Sequence, residues 1–282
     1  MNQYVKSFID NGFVVIPNVI SKNDIKDYLS AVENVKTKVN NAPDAYHTRY
    51  TYREKNEVDT WGVNHIFDTN LYEKSFGNIF YNTTIMDFIK AVLGDELRLW
   101  GAHALWSPQK VDYELNWHRD YGDYGMYNPT GASTHVQFNV ALTDDSCFIA
   151  IPGSHKRPLS GQEEQQLISK GTSSLPGETV VHCNPGDVLF MNAHTFHRGA
   201  CSTHSMRRTL HISLQAKDEP TGGHGSWTYM RKEGLLNMMN PVVQTLMKNA
   251  IEWDDKNPLS LQETLHRKRI AKENKSHQAN NL

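Results

Sequence analysis

THVQFNVAL, residues Thr134–Leu142, alternates polar and apolar side chains, with Val136, Phe138 and Val140 on its apolar side. Neighbouring side chains of a β-strand point to opposite faces, so this period of two predicts a strand with one apolar and one polar face. A polar face usually meets solvent. In a small barrel that encloses a cavity, however, the polar face can line the cavity instead.

Further strands are predicted on both sides of this one, and Pro-Gly turns separate several of them. They are Leu97–Trp106, Phe148–Ile151, Thr179–Cys183, Asp187–Met191 and Arg208–Gln215. Short strands with regular turn signals are typical of a sandwich or a barrel. Because helical patterns precede and follow these strands, we expect a mainly β fold with flanking helices and a jelly-roll core.

The chain has 282 residues and no internal repeat, which predicts a single domain. Within it we expect a helical N-terminal part (1–96), the jelly-roll core (97–217), C-terminal helices (226–270) and a polar tail (271–282). Residues 41–70 show weak periodicity but many aromatic and basic side chains. We predict a long loop there, which either covers a site or packs its aromatic side chains on the core.

The composition argues against several classes of protein. A formal net charge of -2 gives no reason to expect nucleic acid or an anionic membrane as partner. No stretch approaches the ~20 apolar residues that span a bilayer, and the first residues do not resemble a signal peptide. Three cysteines without a Cys-x-x-Cys pair fit a reducing cytosol. We expect a cytoplasmic monomer or homodimer that acts on a small molecule.

A metal site is predicted from three residues that lie far apart in the chain. His118 and Asp120 are two residues apart, so in an extended segment both side chains point the same way and can reach one ion. His197 would join them from a neighbouring strand. Two imidazoles and one carboxylate are the facial ligand set of non-haem iron(II), and they leave positions open for other ligands.

Two residue assignments, the distal metal ligand and an arginine that binds 2-oxoglutarate, each have an alternative in the sequence. His194 is the alternative to His197 as the distal ligand. Arg207 and Arg208 compete for a second task, which is to hold the far carboxylate of 2-oxoglutarate through a forked, charge-assisted pair. Strand parity does not decide between them, because a bulge would exchange the two faces.

Several segments, in the same order, resemble the phytanoyl-CoA dioxygenase family of Fe(II)- and 2-oxoglutarate-dependent oxygenases. The resemblance extends over most of the chain. It rests on FIDNGFVVIPNVIS (Phe8–Ser21), Trp117–Asp120, the PGSH turn (Pro152–His155) and PGDVLF (Pro185–Phe190). It implies a double-stranded β-helix core and iron bound by His118, Asp120 and His197. It also implies Fe(II), 2-oxoglutarate and O2 as cofactor and co-substrates.

The resemblance further implies roles for single residues. The family places its oxoglutarate-binding arginine eleven residues after the distal histidine, which is Arg208, with Arg207 as the alternative. Asn139 stands where the family contacts the co-substrate, and Gln137 and Asn116 are further candidates. Candidates for the substrate side of the site are Trp117, Tyr121, Tyr124, Trp106, Trp61 and Arg53. The competing interpretation of each aromatic residue is core packing.

We therefore predict an oxidoreductase that hydroxylates an unactivated C–H bond of a small molecule and releases succinate and CO2. Halogenating relatives lack a carboxylate at the position of Asp120, so hydroxylation is favoured over halogenation. Desaturation, cyclisation or epimerisation with the same cofactors is the alternative. In other classes, the candidates are a non-catalytic jelly-roll protein that binds metal or ligand and a cupin-like metalloprotein that uses no 2-oxoglutarate.

Overall fold

Two antiparallel sheets form the core of the protein in a computed structural model, which describes residues 1–54, 57–120, 127–260 and 263. The larger sheet has the order β1 (Phe13–Ile16), β9 (Val188–Asn192), β6 (His135–Ala141), β11 (Arg208–Ala216), β4 (Leu97–Trp106), β3 (Glu57–Asn64) and β2 (Thr48–Glu54). The smaller sheet has the order β5 (Tyr113–Glu114), β10 (His197–Cys201), β7 (Asp145–Ala150) and β8 (Thr179–Cys183). The predicted jelly-roll core is confirmed.

Helices cover the outer face of the larger sheet. These helices are α1 (Asn2–Asn11), α2 (Lys22–Asn41), α3 (Lys74–Asn78), α4 (Thr83–Leu93), α6 (Leu235–Met238) and α7 (Pro241–Lys256). Helix α5 (Gly161–Ile168) lies beside the smaller sheet. Helix α2 begins at Ser21, whose hydroxyl accepts a hydrogen bond from the backbone N–H of Asp24 (3.2 Å). In the described part of the chain, no helix is long and apolar enough to cross a membrane.

The alternation along β11 explains how one strand serves two environments. Leu210, Ile212 and Leu214 are fully buried in the main core beneath the helices. The intervening residues His211 and Ser213 point between the two sheets, where they line a cavity. Strand β6 behaves in the same way, with Val136 and Phe138 in the main core and His135 and Gln137 at the cavity. The polar face that the sequence predicts for β6 is therefore an interior face.

The space between the sheets is apolar at one end and polar at the other. At the apolar end, Leu189 and Met191 from β9 pack against Phe148 of β7 and Val181 of β8. Toward the other end lie the polar side chains of β6 and β11 together with the start of β10. This polar end contains the candidate site.

The sequence predicts a long loop over residues 41–70, and this prediction is wrong. The segment contains the hairpin β2–β3, and β3 pairs with β4, where Gly62 lies opposite Leu105 and Asn64 opposite His103. The register of the hairpin shifts between Arg49 and Tyr50 and again between Tyr50 and Tyr52. Such irregularities break the period of two, which is why the sequence pattern hides the strand.

Candidate metal centre

His118 and His197 are held side by side by backbone hydrogen bonds. Each donates its backbone N–H to the carbonyl oxygen of the other, at 2.9 Å in both directions, and their ring centroids are 4.4 Å apart. Asp120 extends the pairing, because its N–H donates to the carbonyl of Ala193 at 3.0 Å. The three side chains predicted as metal ligands are thus brought together by two antiparallel segments.

The possible ligand atoms have spacings that suit one shared ion. Asp120 Oδ1 lies 3.8 Å from His118 Nε2 and 3.6 Å from His197 Nε2, and all three ligand atoms lie within 4.8 Å of one another. Two atoms that each bind an ion at about 2 Å are roughly 3–4 Å apart. Within the described ranges, this is the one group of three such residues, and His194 is not part of it.

Both imidazoles are oriented as metal ligands by their second nitrogen. His118 Nδ1 lies 2.7 Å from the carbonyl oxygen of Asn116, and His197 Nδ1 lies 2.9 Å from that of Thr195. A carbonyl can only accept, so each ring carries a proton on Nδ1, which leaves Nε2, the nitrogen on the side of Asp120, as the atom that can bind a metal. Burial, with His118 nearby, lowers the pKa of His197 to about 4, so this ring is neutral at neutral pH. The donor set therefore fits a divalent metal such as iron(II).

The loop before His197 is fixed by contacts with the N-terminal part of the chain. Gly12 ends α1 with a φ of 86°, in the left-handed region that favours glycine, and its carbonyl accepts a hydrogen bond from Thr195 Oγ1 at 2.9 Å. Phe196 N–H donates to Ser154 Oγ at 2.8 Å, and the Phe196 ring stacks on Trp117 at 5.3 Å. These contacts hold the loop in one position, and with it the ring of His197.

The metal ligands open into a cavity of about 220 Å³ between the two sheets. Drug-sized ligand sites are usually ~300–1,000 Å³, so this cavity suits small ligands. The polar and aromatic residues that line it are Arg49, Trp61, Trp100, His103, Tyr113, His118, Asp120, His135, Gln137, Phe148, His197, Arg198, Arg207, His211 and Ser213. The guanidinium of Arg198 packs over the ring of Trp117 at 5.4 Å.

Arg207 places a buried guanidinium in this cavity, with only 4% of the residue exposed. Its Nε donates to Asp145 Oδ2 at 2.8 Å, its Nη1 donates to the hydroxyl of Tyr113, and its Nη2 lies 3.2 Å from His211 Nε2. Burial alone would lower the pKa of Arg207, but Asp145 and Tyr113 raise it well above the ordinary value. The side chain is therefore a permanent, fixed cation.

Arg208, the arginine favoured by the family spacing, points the other way. Its Nε pairs with Glu33 of α2, and its Nη1 donates to the carbonyl of Arg207 at 2.7 Å. It does not line the cavity in the described structure. Adjacent residues of a strand face opposite sides, so only one of the two arginines can enter the cavity, and that one is Arg207.

The remaining predicted site residues divide between the cavity and other places. Gln137 and Trp61 line the cavity. Asn139 lies deeper, beside Ala141 and Thr209, because β6 carries it past the polar end. Asn116 serves through its backbone carbonyl, as described above, rather than its side chain.

Three predicted substrate residues lie elsewhere. Trp106 and Trp117 are both 0% exposed, and the indole N–H of Trp106 donates to the carbonyl of Thr60 at 3.0 Å, so these rings are core residues. Arg53 pairs with Asp44 on the outside of the hairpin. Tyr121 and Tyr124 lie outside the described residues.

Several cavity residues were not predicted from the sequence. His103, His135, His211 and Ser213 all lie on the interior face of β4, β6 or β11, and parity along those strands could have found them. Burial lowers the pKa of His135 to about 3 and the pKa values of His103 and His211 well below the ordinary value. Tyr113 belongs to a two-residue strand that gives no periodic signal.

Comparison with known proteins finds a matching family and related enzymes. The family described as Phytanoyl-CoA dioxygenase (PhyH) matches residues 8–209. A probable alpha-ketoglutarate-dependent hypophosphite dioxygenase from Stutzerimonas stutzeri is 23% identical over 235 residues, which cover 79% of this chain and 81% of the relative.

Solved structures share the fold at low sequence identity. AviO1 from Streptomyces viridochromogenes Tue57 superposes with a TM-score of 0.61 at 16% identity, over 78% of this chain and 96% of that chain. HygX from Streptomyces hygroscopicus, solved with nickel and 2-oxoglutarate bound, superposes with a TM-score of 0.55 at 20% identity, over 76% of this chain and 86% of that chain.

Proposed function

Since the chain belongs to the phytanoyl-CoA dioxygenase family and is a 2-oxoglutarate-dependent dioxygenase that uses iron, we propose that it hydroxylates an unactivated C–H bond of a small molecule. The proposal is supported by the set of residues that line one cavity. His118, Asp120 and His197 converge in it, and the fixed guanidinium of Arg207 lines the same space. The residues can thus hold a metal and a small dicarboxylate together.

Arg207 is the proposed anchor for the far carboxylate of 2-oxoglutarate. A guanidinium has five N–H donors, and the described contacts to Asp145, Tyr113 and His211 use three of them. Two donors are left for a carboxylate, which suits a charge-assisted pair. Asp145 holds the guanidinium in place through Nε, so the anchor is preorganised before the co-substrate arrives.

Tyr113 is the proposed second donor to that carboxylate. Its hydroxyl oxygen accepts from Arg207, so its own proton is available. Burial raises the pKa of Tyr113 above the ordinary value, which keeps the hydroxyl protonated. A neutral O–H beside a cation is a common way to bind one carboxylate oxygen without adding charge to a buried site.

The chain positions the reactants and carries no general base in this proposal. His118, Asp120 and His197 would hold iron on one face, and Trp61, Leu105 and Phe148 contribute apolar surface to the cavity wall. When bound, iron and 2-oxoglutarate supply the oxidation, in which O2 and 2-oxoglutarate yield succinate and CO2 and one oxygen atom enters the substrate. The protein contributes orientation and exclusion of water.

The retained carboxylate favours hydroxylation over halogenation. Asp120 occupies the third ligand position, so no protein ligand is missing to make room for a halide. Desaturation, cyclisation and epimerisation use the same ligand set, and the product distinguishes them. Membership of an enzyme family together with a complete ligand set argues against a non-catalytic jelly-roll protein.

The proposal is tested with anaerobically iron-loaded protein that receives 2-oxoglutarate, ¹⁸O2 and a panel of small metabolites. The panel includes hypophosphite, the compound named for the Stutzerimonas relative; it has P–H bonds and no C–H bond, so its oxidation would replace C–H with P–H hydroxylation. Hydroxylation predicts one compound that gains one ¹⁸O atom as an equal amount of succinate forms. A product that loses two hydrogens and gains no oxygen would replace hydroxylation with desaturation or cyclisation. Absence of succinate under every condition would refute the oxygenase function itself.

A further inference from the structure

A second guanidinium, that of Arg49, lies in the same cavity on the side of the β2–β3 hairpin. Its Nε donates to Asn64 Oδ1 at 2.7 Å, and the guanidinium carbon lies 5.2 Å from the centre of the Trp61 ring. The register of the hairpin shifts next to Arg49, between this residue and Tyr50. A β-bulge commonly re-aims a side chain beside a functional site, and here the side chain is turned inward.

The charge of Arg49 is not balanced by an acidic side chain of its own in the described part of the chain. Its hydrogen-bond partner, Asn64, is neutral, and the Trp61 ring offers a cation–π contact only. Arg207, in contrast, is paired with Asp145. Among the described residues that line the cavity, Asp120 is the one with a carboxylate, and that carboxylate would coordinate the metal. Arg49 is half-buried at the cavity, and a partly desolvated cation without an acidic partner there is suited to bind an anion.

The position of Arg49 separates it from the proposed oxoglutarate anchor. Trp61 stacks on Tyr113 with ring centroids 4.2 Å apart, and Tyr113 in turn contacts Arg207. Arg49, Trp61, Tyr113 and Arg207 therefore form one wall with a guanidinium at each end. Burial lowers the pKa of Arg49, Tyr113 and Asp120 oppose this effect, and Arg207 adds to it, so Arg49 lies within electrostatic reach of both the metal ligands and the proposed anchor.

We propose that Arg49 binds the anionic group of the substrate, and that the substrate is a small molecule carrying a carboxylate, phosphonate or phosphinate. The inference rests on the proposed function, because it assigns Arg207 and Tyr113 to 2-oxoglutarate and leaves Arg49 for the second reactant. The planar guanidinium offers parallel N–H donors that match such oxyanions. A cavity of about 220 Å³ suits a small substrate beside the co-substrate.

Neutral groups elsewhere on the cavity wall would add hydrogen bonds to the substrate. Gln137 and Ser213 line the same cavity, and the Ser213 hydroxyl donates to Gln137 Oε1 at 3.3 Å. Gln137 Nε2 lies 3.4 Å from His211 Nδ1, a long contact that leaves amide hydrogens for a ligand. These groups add hydrogen bonds without adding charge. The third arginine of the cavity, Arg198, lies 4.0 Å from Glu114 Oε1, so Arg49 is the cavity cation that has no acidic side chain beside it among the described residues.

The test is calorimetric binding to the full chain loaded with Mn(II) and 2-oxoglutarate. The probes are propionate, butyrate, ethylphosphonate and ethylphosphinate, compared with the neutral propionamide and butanol. Separate carboxylate and phosphorus arms identify which oxyanion the site prefers. We expect at least one anionic probe to bind roughly 10–100-fold more tightly than its neutral counterpart, as a charge-assisted pair provides.

Substitutions attribute that preference to Arg49. Arg49→Gln is expected to remove it, while Arg49→Lys retains part of it, because the charge remains but the fork is lost. Arg53→Gln is the matched control from the same strand, since Arg53 pairs with Asp44 outside the cavity, and it is expected to bind like the wild type. If Arg49→Gln does not fold at the assay temperature, Arg49→Lys decides, and it must bind the preferred anion more weakly than the wild type.

Three results would overturn the inference. They are equal binding of neutral and anionic probes, no binding of any anionic probe, and a loss of 2-oxoglutarate affinity in Arg49→Gln as large as that in Arg207→Met. The last result would assign Arg49 to the co-substrate. Release of succinate from 2-oxoglutarate is measured on the wild-type protein in parallel. Its absence refutes the oxygenase function, whereas its presence without anion preference refutes only the role of Arg49.

Discussion

Arg207 and Arg208 are neighbours in sequence but project from opposite faces of β11. The guanidinium of Arg207 lies in the cavity with Asp145 and Tyr113, whereas that of Arg208 lies against Glu33 of α2. The two side chains differ in surroundings and not in chemistry, so paired substitutions at these positions separate a role in the cavity from a general effect of charge.

Arg207→Met is expected to weaken 2-oxoglutarate binding roughly 10–100-fold, because a charge-assisted pair contributes about 1.5–3 kcal/mol. Arg208→Met is expected to leave the dissociation constant within about twofold, since a partly exposed ion pair with Glu33 contributes little. Calorimetry on Mn(II)-loaded protein measures both values. If Arg208→Met weakens 2-oxoglutarate binding more than Arg207→Met does, Arg208 is the residue that binds the far carboxylate.

Tyr113→Phe tests the second proposed contact to the same carboxylate. The substitution keeps the stacked ring beside Trp61 and removes only the hydroxyl. We expect 2-oxoglutarate affinity to fall roughly 2–10-fold, the range of one neutral hydrogen bond. An unchanged affinity in the same calorimetric assay would show that Tyr113 orients Arg207 without touching the co-substrate.

The choice between His194, in the loop before β10, and His197, the first residue of β10, is tested by metal content. His197→Ala is expected to reduce iron(II) affinity by more than the 10–100-fold that loss of a supporting residue costs, because it removes a ligand. His194→Ala is the control, and it is expected to keep its iron, because His194 is not part of the ligand group. Iron bound per chain after anaerobic dialysis, with a melting curve for each variant, gives the answer. Equal loss in both would contradict the assignment of His197.

The buried side chain of His135 is expected to make the free energy of unfolding depend on pH. Its pKa is about 3 in the folded protein, chiefly because of burial, against about 6.5 when unfolded. Its stabilising contribution is therefore complete above pH 6.5 and is lost as pH falls from 6.5 toward 3, because the unfolded chain then binds the extra proton.

Urea unfolding of metal-free protein at pH 7.0 and pH 5.5 measures this contribution. We expect the free energy of unfolding of the wild type to fall by about 1 kcal/mol more than that of His135→Gln between these pH values. Other buried histidines lower the free energy of unfolding of both proteins by the same amount. An equal fall in the free energy of unfolding of the two proteins would mean that His135 is not held neutral by the fold.

The sequence predicted the family, the jelly-roll core and the cofactors, and all three are confirmed. The periodic signals behind the core are strong, and two predicted strands, Leu97–Trp106 and Thr179–Cys183, have the same ends in the structure. The metal ligands could be proposed because the spacing of His118 and Asp120 depends only on local strand geometry.

Other features depend on geometry that a pattern does not contain. Arg207 follows His197 by ten residues (207 − 197) rather than by the eleven of the family spacing. Which arginine faces inward is set by the register of β11 with β4 and β6, and a sequence does not fix that register. Arg49 was missed as a cavity residue because the irregular hairpin that positions it has no clear period of two.

The most direct test of the account is succinate release by anaerobically iron-loaded protein exposed to O2 and 2-oxoglutarate, with wild type, His118→Ala and Arg207→Met side by side. Many enzymes of this chemistry turn over slowly without their substrate, so the assay runs to long times and includes a metal-free sample. The account predicts iron-dependent succinate from the wild type and a large loss in both variants. Succinate that is independent of iron, or undiminished in His118→Ala, would contradict it.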